Sequence, residues 1–211
     1  MKKILLFSLL LAPLSLIYAQ KYVDEKIWKR WDSATIAKAN TAVNANYLSS
    51  EEKLVILITN LARTDGPLFS ETFLDTYMEG QKPSRYSKSL YRDLKNVKNL
   101  KLLFPEKDLY EVAEGHAIKS GKNGQVGHQG FEQRFKPLMK KYNGVAENCA
   151  YGYDYAIDIV LQLLVDQDIS NLGHRLNMLN PGYDSVGVSI QPHKTYRYNC
   201  VMDFGLLAKE R

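Results

Sequence analysis

Most of the sequence signatures that would announce a function are missing from this chain of 211 residues. Only two cysteines are present, Cys149 and Cys200, too few for a disulfide-built scaffold. There is no His-Glu-x-x-His and no Gly-x-Ser-x-Gly, so neither the helix-borne zinc signature nor the nucleophile elbow can be invoked. Beyond residue 19 no long apolar run occurs, so no integral membrane segment is expected once a leader is removed. Internal repeats and low-complexity tracts are absent. The basic excess is small, a net charge of +5. The clusters Lys95, Lys98, Lys101 and Lys136, Lys140, Lys141 are flanked by acids, which reads as a solvated surface and not as the dense stripe that nucleic acid needs.

What is present starts with Met1-Lys2-Lys3, an apolar run from Ile4 to Tyr18, and Ala19-Gln20. This reads as a secretory signal peptide over residues 1–19, shorter than the ~20 residues of a membrane span. No cysteine follows it, so lipoprotein anchoring is not indicated, and the protein is expected to be secreted or periplasmic. Residues 47–211 have the length of one domain, preceded by an N-terminal arm over 20–46. The arm carries Trp28 and Trp31, too much apolar surface to leave in water. It is expected to dock on the domain, with a partner-binding patch as the sharper alternative. Export places both cysteines in an oxidising compartment. The residues leave two readings open: a Cys149–Cys200 disulfide, contributing roughly 4 kcal/mol by closing a loop of about 52 residues, or two buried free thiols.

Ser49-Ser50-Glu51-Glu52 fits a capping box, and Leu54, Leu57, Ile58 and Leu61 form the stripe of the helix that follows, widened by Val55 and Ile56. A second short helix is expected over 69–78 and a loop over 79–89. Residues 108–120 form an amphipathic helix with His116 on its core stripe, read as a satisfied core histidine before a functional one. Residues 156–166 form another, with Asp166 projecting from the end of its buried face. Val186, Val188 and Ile190, then Tyr196, Tyr198, Cys200, Met202 and Phe204, alternate as two half-buried strands of an antiparallel hairpin. Helices first and a terminal hairpin last give an α+β fold, a small antiparallel sheet flanked by helices.

Two blocks carry chemistry-bearing residues. One is Ala146-Glu147-Asn148-Cys149-Ala150. The other is Gly173-His174-Arg175-Leu176-Asn177-Met178-Leu179-Asn180-Pro181, continuing to Tyr183-Asp184-Ser185-Val186-Gly187-Val188. Together they resemble the motifs of the CAP superfamily, the cysteine-rich secretory, antigen 5 and pathogenesis-related proteins with their bacterial SCP-like relatives. The resemblance implies an α-β-α sandwich and a cavity lined by His128, Glu147, Asp166 and His174. His128 stands in Gly-His-Gln-Gly where the family has His-Ser-Pro, and Asp166 is the weakest match. The resemblance further implies a binding domain for a lipid, glycan or protein ligand.

Two His and one Glu are good Zn²⁺ ligands. A site for zinc or another divalent metal at His128, Glu147 and His174 is therefore one expectation, and a metal-dependent hydrolase such as a peptidase, with Glu147 and Asp166 as candidate catalytic groups, is the alternative function. A purely structural network of the same residues is the plain alternative.

Overall fold

The computed structural model describes residues 25–208. Residues 1–19, expected to be a signal peptide, lie outside the described residues.

The chain enters through two short helices, α1 (Glu25–Lys29) and α2 (Ser33–Ala39). Trp28 and Trp31 are 6% and 4% exposed. Both pack on Phe73, with ring centroids 5.5 Å and 6.3 Å away, and Trp31 Nε1 donates to Thr72 Oγ1 at 3.3 Å. The indoles are turned into the core, which leaves neither for a partner. Buried Asn60 ties this entry down, donating to the carbonyls of Ala39 and Leu103, both at 3.0 Å.

Helix α3 (Ser50–Thr64) starts at the capping box. Glu52 N donates to Ser49 Oγ at 3.3 Å, and Ser49 N donates to Glu52 Oε2 at 2.7 Å. The other Glu52 oxygen accepts from Ile190 N at 2.9 Å, so the cap also fastens the helix to the sheet. Ser49→Ala is expected to cost about 1 kcal/mol, read as a lower urea midpoint; an unchanged midpoint would show that Glu52 holds the helix start alone. Beyond α3 the chain forms α4 (Gly66–Phe69), a π-helical turn (Ser70–Leu74), α5 (Asp75–Met78) and α6 (Arg85–Leu94). The expected loop over 79–89 is thus too long. A second cap, Ser84 with Ser87, starts α6 inside it.

The sheet has the order β1-β3-β4-β2. β1 (Phe104–Pro105) runs parallel to β3 (Ser185–His193), while β4 (Arg197–Leu207) is antiparallel to β3 and to β2 (Tyr142–Tyr151). The strands are not half-buried: Ser185, Ser189 and Asp203 are as inaccessible as Val186 and Val188. Helix α7 (Lys107–Asn123) covers the face that alternation assigned to solvent. It approaches so closely that a Cβ on Gly187 would lie 2.2 Å from the Leu109 carbonyl carbon, and one on Gly121 would lie 2.1 Å from Pro192 O. On the opposite face, α3 packs against β3, and α9 (Ala156–Val165) packs against β2 and α3. This is an α+β fold, an α-β-α sandwich. Two short α-helices remain, α8 (Phe131–Phe135), followed by a 3-10 turn (Lys136–Leu138), and α10 (Gly173–Met178). No helix among the described residues is long and apolar enough to cross a membrane.

The register corrects the disulfide expectation. Cys149 faces Val201 and Ala150 faces Cys200, so the two cysteines point to opposite faces of the sheet. Cys149 packs with Ala113, Ala117 and Val201 beneath α7, while Cys200 lies in the main core. Both are free thiols.

Candidate functional site

The two motif blocks meet at the edge of the sheet. Asn148, on β2, donates to the His174 carbonyl at 2.9 Å and accepts from Asn177 Nδ2 at 2.9 Å, which fixes α10 against the strand. Helix α9 ends at Asp166, whose φ of 55° is left-handed and turns its carboxylate back toward α10. That carboxylate accepts from the backbone N–H of His174 at 3.0 Å and of Arg175 at 3.3 Å, and from the His174 ring Nδ1 at 2.7 Å. Asp166, expected to line the cavity from the end of its helix, therefore also caps the next helix and orients its histidine.

Arg175 is 1% exposed. It donates to the orphaned C-terminal carbonyls of α9, Leu164 at 2.7 Å and Val165 at 2.8 Å, and to Tyr86 O, Ser89 Oγ and Asp93 Oδ2 on α6. Its role is to clamp α6, α9 and α10 together.

Glu147, on β2, faces α7 and is the centre of a second cluster. His128 Nδ1 lies 2.8 Å from its Oε1, and Arg134, on α8, grips both oxygens at 2.6 Å and 3.0 Å. Burial pushes the Glu147 carboxyl up, but the His128 and Arg134 hydrogen bonds and the guanidinium charge outweigh it and hold the group well below the usual carboxylate range. His116 Nε2 donates to Gly127 O at 2.8 Å and lies 3.8 Å from Glu147 Oε1. It is a satisfied core histidine and also a neighbour of the site. Directly across the strand pair from Glu147 stands Asp203, fully buried, with neither oxygen hydrogen-bonded within the described chain. Burial, then the Glu147 charge, push its pKa far up.

His128 and His174 both line one cavity of about 390 Å³, together with Asp166, Cys149 and Tyr151. Each imidazole is held at Nδ1 by a carboxylate, and neither Nε2 has a hydrogen-bond partner among the described residues. Cys149 Sγ is 3.7 Å from the same His128 nitrogen that Glu147 occupies, and burial pushes its thiol up, so the pair is not arranged as nucleophile and base. Among the described residues, the ligand atoms that converge within 4.8 Å as a group of three belong to His116, Glu147 and Cys149. His174 stands apart from that group, on Asp166. Sequence reasoning missed Arg134 and Asp203. Arg134 gives no signal on a five-residue helix. Asp203 sits where alternation assigned it to solvent.

A family model for the cysteine-rich secretory protein (CAP) family matches residues 64–204. No curated protein matches the chain. Among solved structures, an outer surface protein from Borrelia burgdorferi is 21% identical with a TM-score of 0.44, covering 66% of this chain and 96% of that one. An extracellular SCP-domain protein from Bacillus anthracis is 23% identical with a TM-score of 0.40, covering 56% and 39%. Venom allergen-like protein 4 from Schistosoma mansoni is 13% identical with a TM-score of 0.46, covering 77% and 92%. Of the four residues expected to line the cavity, His128, Asp166 and His174 do so and Glu147 stands behind His128. The matched segment holds both motif blocks, these four residues and most of the sheet, and the chain belongs to the cysteine-rich secretory protein (CAP) family.

Proposed function

We propose that this protein is an exported binding domain whose His128–His174 cavity takes the ligand, with a divalent metal such as zinc as part of the binding surface. Export is supported by the basic and apolar start of the sequence. The observation that carries the cavity is the pair of histidines, each with Nδ1 on a carboxylate and Nε2 unengaged. A carboxylate behind each imidazole is the arrangement that fixes tautomer and ring direction at metal-binding histidines. This arrangement supports a metal held by His128 and His174.

Glu147, expected as a third ligand, has its oxygens engaged by His128 and Arg134, and is better placed to orient His128 than to ligate. Asp166 does the same for His174. A bound metal would supply a Lewis-acidic point for an oxygen or nitrogen of the ligand. The protein's own residues place both imidazoles on the wall of the cavity and hold each at Nδ1. The cavity lies within the usual size of a small-molecule site. Metal-assisted hydrolysis, such as peptide cleavage, is the second reading and rests on the same two nitrogens.

Metal content by mass spectrometry, on mature protein purified without a metal-affinity column and then supplied with zinc, tests the reading. Near-stoichiometric zinc is expected, lost in His128→Ala and in His174→Ala, with Glu147→Gln weakening it by about 10–100-fold through His128. Wild type that takes up no zinc would sink the metal part of the proposal. Zinc that survives both histidine variants would move the metal to another site.

A further inference from the structure

Between residues 80 and 103 the sequence holds seven Lys or Arg and a single acid, Asp93. That local excess is greater than the +5 of the whole chain, so the basic charge is concentrated here and the remainder is close to balanced. Helix α6 gathers it. Arg85, Lys88, Arg92 and Lys95 are spaced i, i+3, i+7, i+10, which at about 100° per residue puts all four within an arc of about 80°. The arc lies opposite the buried Tyr86, Leu90 and Leu94, so the four exposed cations point away from the core. None of them is in an ion pair among the described residues. The acids nearby have other partners: Asp93 holds Arg175 at 2.8 Å, Asp65 lies 3.7 Å from Lys98, and Asp75 accepts from the Tyr91 hydroxyl at 2.6 Å. Asp168 is close enough to act on Arg85. Each successive pair along the stripe is a like-charge neighbour that weakens the helix, and an anion lying across it relieves that repulsion.

The flank of the stripe decides what kind of anion it fits. Arg175 ties α10 to Asp93, and beside that contact lies a groove of about 490 Å³ with Val97, Leu176, Leu179 and Pro181 in its walls. Leu176 is 62% exposed, more than any other large apolar side chain among the described residues. A soluble polyanion is held by the cations and gains nothing from an aliphatic side chain next to them. The surface of an anionic bilayer uses both, its phosphates on the cations and its acyl boundary on Leu176. We infer that the outer face of α6, with Leu176 on its flank, is a docking surface for an anionic membrane. It is distinct from the histidine cavity and shares none of its lining residues.

Co-sedimentation of the mature protein with vesicles of phosphatidylcholine, and with vesicles of an equal mixture of phosphatidylcholine and phosphatidylglycerol, tests this. The mixed vesicles bind at least about tenfold tighter. Their advantage is lost when NaCl rises from about 0.1 M to about 1 M, where the screening length falls from about 10 Å to about 3 Å. Lys88→Gln/Arg92→Gln/Lys95→Gln weakens binding about 100-fold, at about fivefold per cation. Lys119→Gln/Lys122→Gln/Lys140→Gln removes the same charge from exposed positions on and beyond α7, and weakens it less than about fivefold. Leu176→Gln keeps a good helix former at an exposed position; it weakens vesicle binding about tenfold and leaves binding to soluble polyphosphate within about twofold. The inference is overturned if the mixed vesicles bind no tighter than phosphatidylcholine alone, or if the two triple variants fall alike. It is also overturned if Leu176→Gln leaves vesicle binding unchanged, which would make the stripe a site for a soluble polyanion.

Discussion

Arg175→Ala is expected to destabilise the protein by about 3–5 kcal/mol, with the His174 side of the cavity loosened first. The guanidinium is buried and makes five hydrogen bonds that join three helices. Alanine would leave the carbonyls of Leu164, Val165 and Tyr86 without this donor in a region water does not reach. Asp93 adds less, since its side chain is 48% exposed and can return to solvent. Lysine is no substitute: a single ammonium cannot reach carbonyls and a carboxylate spread around a planar fork. Urea unfolding of wild type, Arg175→Ala and Arg175→Lys checks this. A loss under about 1 kcal/mol for alanine would mean that the Asp166 cap alone holds α10. The same Asp166 carboxylate holds the His174 ring, so a protein that stays folded in Arg175→Ala should still show weakened metal or ligand binding through misplacement of His174.

The sequence made the scaffold of this site legible where chemistry is local. The capping box at Ser49, the amphipathic stripe of α7, the hairpin alternation and the two motif blocks all depend on residues within a turn or two of one another. His128, Glu147, Asp166 and His174 could be named, and the structure places two of them in each of two carboxylate–imidazole pairs, His128 with Glu147 and His174 with Asp166. What stayed illegible depends on register and on what covers a face. Cys149 and Cys200 sit on adjacent strands, yet an offset of one residue in pairing decides whether they face each other or opposite sides of the sheet. Asp203 was counted among the outward polar residues of an alternating strand. The clue to the contrary was the run of small residues on that face, Gly187 and Gly205 beside Ser185 and Ser189, which allows a helix to lie directly on the strands. Arg134 had no local pattern to mark it, because its meaning comes from Glu147 on a strand that begins after α8 has ended.

Asp203→Asn is expected to make the protein progressively more stable than wild type as pH rises. Burial and the Glu147 charge raise the Asp203 pKa above its ordinary 3.8, so across that interval the folded protein keeps a proton that the unfolded chain has released. Stability then falls with rising pH, by about 1.4 kcal/mol per unit for this group alone, until the folded pKa is reached. Glu147 works in the opposite sense. Its pKa is depressed, so its contribution is present above its ordinary 4.5 and is lost as pH falls below that value. Because Glu147 remains in both proteins, the difference between wild type and Asp203→Asn isolates Asp203. Asparagine keeps the shape and has no proton to lose, so any fixed packing penalty shifts the difference without changing its slope. Urea unfolding at pH 5, 6 and 7 should show the variant gaining on wild type as pH rises, by at most about 1.4 kcal/mol per unit. Parallel curves would mean that Asp203 is already charged in the folded protein, and that a buried carboxylate with no hydrogen bond among the described residues is held there by a cation in addition to the Arg134 charge. In that case zinc content measured on the same variant would fall with Asp203→Asn, and the metal would have to be placed on the Glu147 side of the sheet instead of between His128 and His174.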